Sequence, residues 1–117
     1  MSRKLAIEHF RIATRLNPKD GRGWHPLGQA LRKKGDLAGA EEAYREAGKY
    51  LPQAYMPLNQ LGNMLWDEKR YDEAIDAYRA AAYEIDHPRP GSVPSAIPHL
   101  SLGAKLALRG DREGAIA

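Results

Sequence analysis

Apolar residues recur every three or four positions in six stretches of this chain, and proline or glycine stands at or near most of the breaks between them. Leu5, Ala6, Phe10, Ala13 and Leu16 predict an amphipathic helix over 2–16, stopped by Asn17-Pro18 because proline lacks the backbone donor and crowds the preceding turn. A second helix is predicted over 23–34, with Gly35 suited to the left-handed residue that ends it. Asp36 or a near neighbour caps a third over 37–50, which stops at Leu51-Pro52. Pro57 fits the first turn of a fourth over 56–68, and Tyr71 to Glu84 form a fifth. The sixth is expected over 97–109, ended by Gly110 and followed by Asp111. No alternating stretch of useful length suggests a strand, so the reading is all-α.

The same residue types return every 34 positions. Trp24, Leu27 and Gly28 open one unit, and Ala40, Tyr44, Ala47 and Pro52 close it; Leu58, Leu61, Gly62, Ala74, Tyr78 and Ala81 follow one period later, and Ala6, Phe10, Ala13 and Pro18 precede it. A period in the range of about 20–50 residues marks a solenoid, whose single units cannot bury their own apolar faces. Gly28, Gly62 and Gly103 are expected where the first helix of each pair approaches the second, with Ala40 and Ala74 opposite. Tyr44, Tyr78 and Phe10 supply bulk between neighbouring pairs.

The string Trp24-x-x-Leu27-Gly28-x-x-Leu31, with Ala40-x-x-x-Tyr44-x-x-Ala47 and Pro52, resembles the tetratricopeptide repeat. The resemblance covers nearly the whole chain and implies a right-handed solenoid of antiparallel helix pairs in a single domain: the second helix of a partial repeat over 1–20, repeats over 21–54 and 55–88, a proline-rich insertion over 89–95, and a partial repeat over 96–117. It also implies that first helices line a concave groove that binds a peptide or helical segment of a partner protein. The outward positions are then Arg22, His25, Gln29, Arg32 and Lys33, next Met56, Asn59, Asn63, Trp66 and Asp67, and last Ile97, Leu100, Ala104, Ala107 and Leu108. One end is cationic, the middle rich in amides and the far end apolar. Amide side chains suit hydrogen bonding to a peptide backbone, Arg and Lys suit an acidic group, and Trp66 is an anchor candidate. Members that clamp a chaperone's C-terminal carboxylate use positions held here by His25, Gln29, Gln60, Ile97 and Ser101, which keep only amide and histidine character. Pro57-Leu58-Asn59-Gln60-Leu61 is also similar to the phosphopeptide-binding repeat domains of telomerase-associated and RNA-surveillance factors; Arg22, Arg32 and Lys33 would be the phosphate ligands.

Two irregularities interrupt the repeat. Leu61-Gly62 and Leu102-Gly103 are 41 positions apart, and the excess falls in the stiff connector His87-Pro88-Arg89-Pro90-Gly91-Ser92-Val93-Pro94-Ser95, which is either an accommodated insertion or an edge of the groove. Residue 1 enters just before a second helix, while Ile97 to Leu108 is apolar almost all round and faces only the short segment Arg112–Ala117. The chain thus reads as an excerpt of a longer array, or as a self-assembling element whose last helix docks head-to-tail on residues 2–16 of another copy.

Charge and chemistry change this picture little. Residues 1–50 hold 11 Lys/Arg against 6 Asp/Glu and residues 51–117 hold 7 against 9, so the first end is basic without a nucleic-acid footprint. The absence of cysteine excludes disulfides and thiolate metal sites. The four histidines are scattered, glycine-rich phosphate loops and Gly-x-Ser-x-Gly are missing, and the carboxylate pairs fall on solvated faces. The expectation is a non-enzyme without cofactor, metal, nucleic-acid or membrane partner. The charged start, lacking an apolar secretory stretch, predicts a cytoplasmic location.

Overall fold

The computed structural model describes the backbone of residues 3–114 and the side chains of residues 3–110. Six helices follow one another: α1 (Arg3–Leu16), α2 (Gly21–Lys34), α3 (Leu37–Tyr50), α4 (Tyr55–Asp67), α5 (Tyr71–Asp86) and α6 (Ile97–Gly114), with no strand among the described residues. The closest partners are α2 with α3 and α4 with α5; α1 packs on α2, α3 on α4 and α5 on α6, so consecutive helices stack into a helical-repeat solenoid 51 Å long and 20 Å thick.

The turns explain where the helices stop. Gly35 takes φ 96°, its N–H bonds the Arg32 and Leu31 carbonyls, and the Asp36 N–H reaches back to Leu31. This six-to-one closure satisfies carbonyls that the helix end leaves unpaired. The second repeat copies it with Lys69 at φ 64° and the Arg70 N–H bonded to the Leu65 carbonyl. Asp36 then caps α3 by accepting from the Gly39 N–H at 3.0 Å. Asp20 caps α2 in the same way through the Arg22 N–H, which starts that helix at Gly21 rather than Gly23 and leaves Pro26 inside it.

Three expectations need correction. Gly110 sits where Gly35 and Lys69 end their helices, yet it has no positive φ and α6 runs on to Gly114. Residues 115–117, the rest of the expected closing segment, lie outside the described residues. Gly103 is not at a close crossing, since a Cβ there would meet no described atom within 4 Å. The tyrosine rings fill the crossing inside each pair: a Cβ on Gly28 would stand 2.8 Å from the Tyr44 ring, and one on Gly62 2.7 Å from Tyr78.

The core runs along the stack through Ile7, Leu27, Leu31, Ala40, Tyr44, Leu61, Leu65, Ala74 and Tyr78. The proline-rich connector is tied down by one side chain. Arg89 forks onto Glu84 at 2.7 and 3.0 Å and donates to the Lys49 and Leu51 carbonyls at 2.6 and 3.2 Å, so the loop lies over the C-terminal end of α3. A cation there meets the negative end of the helix dipole.

Candidate functional site

Helices α2 and α4 are first members of adjacent pairs, and two polar bridges cross between them. His25 Nε2 lies 2.9 Å from Gln60 Oε1, a bond the imidazole donates in its Nε2–H form, and the Arg32 guanidinium donates to Asp67 at 3.2 Å. Each bridge links residues 35 positions apart, and the two are seven residues apart along each helix, hence on one face. Beside them Gln29, Arg32, Lys33, Tyr44 and Gln60 line a cavity of about 480 Å³. Gln29 and Lys33 are exposed at its rim, whereas Tyr44 is buried.

Tyrosine hydroxyls contribute here from the core side. Burial pushes the Tyr44 phenol above its ordinary value, while the Arg32 guanidinium beside it pulls the other way. Burial, reinforced by the Asp67 carboxylate and opposed by Arg32, pushes Tyr78 up to about 12. The Tyr78 hydroxyl donates to Asn63 Oδ1. Both phenols are therefore neutral hydrogen-bonding groups throughout the physiological range.

The structure gathers some of the sequence-predicted residues and disperses others. His25, Gln29, Arg32 and Lys33 share the α2 side of the groove, and Asn63 faces Tyr78. Arg22 is turned back on the helix cap, its guanidinium bound to both carboxylate oxygens of Asp20, and lines a separate cleft at the α1–α2 turn. That pairing holds the Asp20 carboxyl down at about 2. Asn59 is a correction to its outward assignment: it is 8% exposed, and its Oδ1 has no hydrogen-bond partner among the described residues. Trp66 is half-buried, with the Tyr71 ring edge-on at 4.6 Å and the Lys105 ammonium of α6 over its face at 4.9 Å. Met56 and Leu100 are exposed, Leu100 at 69% on α6.

Tyr44 and Gln60 belong to the cavity although Tyr44 reads from sequence only as core. The signal was its oxygen: Phe10 occupies the same place in the period without one. Gln60 falls 35 residues after His25, the separation that both bridges share. Among the described residues no group of three His, Asp or Glu side chains converges to hold a metal, and no helix is long and apolar enough to cross a membrane. What the groove offers is hydrogen bonding with a cationic rim.

No curated protein matches the chain. A family model described as tetratricopeptide repeat matches residues 3–54 and again residues 27–92. The paired helices, the 34-residue return of the glycine–tyrosine crossing and this match agree, and the chain belongs to the tetratricopeptide-repeat family.

Proposed function

We propose that the face between α2 and α4 binds an extended segment of a partner protein that carries a carboxylate. Tetratricopeptide repeats generally mediate protein–protein interaction and are typically non-catalytic scaffolds. The observation that carries the finer reading is the cavity walled by Gln29, Gln60, Tyr44, Arg32 and Lys33. Its amides can donate to and accept from a peptide backbone, and Lys33 supplies a charge at the rim. A volume of about 480 Å³ accommodates a few side chains and falls in the usual range for ligand sites.

A carboxylate fits better than a phosphate. Of the three cations a phosphopeptide would use, Arg22 is bound to Asp20 and Arg32 to Asp67, so a doubly charged group would have to displace at least one pairing. The test is selection from a displayed random peptide library, followed by titration of the selected peptides in the presence of increasing salt. Acidic peptides that lose about tenfold affinity on Lys33→Glu or Gln60→Ala support the reading. Peptides that perturb amide resonances only on α1, α3 or α5 refute it, and phosphorylated peptides that bind more tightly than their carboxylate counterparts refute the choice of charge.

A further inference from the structure

Two series run along the stack, and both break off at its ends. In the first, the ring of Tyr44 covers Gly28 and the ring of Tyr78 covers Gly62. Gly103 holds the same place in α6, between Leu102 and Leu106, but no described atom comes within 4 Å of its Cβ position. Leu106 is 39% exposed, whereas its counterparts Leu31 and Leu65 are at 1% and 0%. At the other end Phe10 holds the place of Tyr44 in α1, yet it is only half-buried, and Ala13 is exposed where Ala47 and Ala81 are at 0%. Among the described residues, α6 presents a first helix's inner face with no second helix on it, and α1 a second helix's inner face with no first helix on it.

The other series is one of charge. Arg11 on α1 and Glu42 on α3 line one cleft, and one period later Arg45 on α3 and Asp76 on α5 line the next. The following arginine, Arg79, is exposed in a cleft of about 540 Å³ between α5 and α6. The acid one period before Glu42 is Glu8, exposed on α1.

We infer that the occupant of the open α6 face is α1 of a second copy of this chain, with Phe10 seated over Gly103 and Glu8 facing Arg79. Such a contact rebuilds one complete repeat between two molecules. It uses a different surface on each partner, so it propagates head to tail instead of closing a symmetric pair. The inference concerns the stack ends and is independent of the groove between α2 and α4.

Sedimentation of the full chain between about 10 µM and about 500 µM, the range for a small interface, reads the result directly. The expected outcome is a mass that grows with concentration. Gly103→Arg fills the open face while leaving a better helix former at an exposed site, so folding by circular dichroism is retained and association falls more than about tenfold. Glu8→Arg and Arg79→Glu each weaken association about two- to fivefold, and an equimolar mixture of the two single variants, in which contacts between unlike molecules pair charges of opposite sign in either direction, associates better than either alone. A chain that stays monomeric throughout overturns the inference, as does assembly that survives Gly103→Arg. Assembly abolished by Gly103→Arg but indifferent to both charge reversals also overturns it, because α6 would then be pairing with itself or with another surface.

Discussion

The ring of Tyr78 lies so close to the backbone of Gly62 that a single added carbon would stand 2.7 Å from it. Tyr78 is 0% exposed and Ala74 and Ala81 beside it are equally enclosed, so the ring has nowhere to retreat. Gly62→Ala, and Gly28→Ala against Tyr44, should therefore lower stability by about 1–3 kcal/mol despite the gain in helix propensity. Gly103→Ala, in open space, should raise it by up to about 1 kcal/mol. Urea unfolding of the three variants checks this; equal effects at positions 28 and 103 would contradict the packing described.

Lys69 carries a left-handed conformation, φ 64°, at the turn where the preceding repeat has Gly35. A residue with a Cβ costs about 1 kcal/mol more than glycine there. Lys69→Gly should raise the melting temperature by a few degrees, and Gly35→Ala should lower it by a similar amount. Thermal melts followed at 222 nm distinguish the two directions.

Arg89 holds the connector through two carbonyls and a carboxylate that is 15% exposed. Removing it leaves the Glu84 charge and the end of α3 without their partner. Arg89→Ala should cost about 1–2 kcal/mol and make residues 88–95 the first site of proteolytic cleavage. Limited proteolysis with mass spectrometry locates the cut; an unchanged cleavage pattern would argue against the tie.

The ionic bridge between α2 and α4 is exposed enough to contribute little to folding. A double-mutant cycle on Arg32 and Asp67, whose side chains are 33% and 73% exposed, should give a coupling below about 1 kcal/mol. A coupling of several kcal/mol would mean that the groove is held shut by this pair and is not ready to receive a peptide.

Tyr78 gives the protein an alkaline limit. Its phenol rises from the ordinary 10.0 to about 12 in the folded state, chiefly through burial. A group whose pKa is raised on folding contributes stability that is complete below the unfolded value and is lost as the pH climbs through the folded one. Stability should therefore fall between pH 10 and pH 12, and Tyr78→Phe should flatten that decline while removing the bond to Asn63. Denaturant midpoints across this interval, alongside phenolate absorbance, supply the measurement.

Local chemistry and the 34-residue return of Leu, Gly, Ala and Tyr were sufficient to determine six helices, their antiparallel pairing and the family, because those patterns act within a turn or between adjacent helices. The same local rules misplaced the end of α6: Gly110 and Asp111 repeat Gly35 and Asp36, but Gly110 takes no positive φ and the helix runs on to Gly114. Tertiary structure alone decided which polar residues meet. His25 with Gln60, Arg89 with Glu84 and α3, and Lys105 over Trp66 each depend on how one helix lies against another, a distance of an ångström or two that no spacing encodes. Burial made the same kind of selection, enclosing Asn59 and leaving Leu100 open although both stand at one position of the repeat, since α6 meets no second helix among the described residues to cover it.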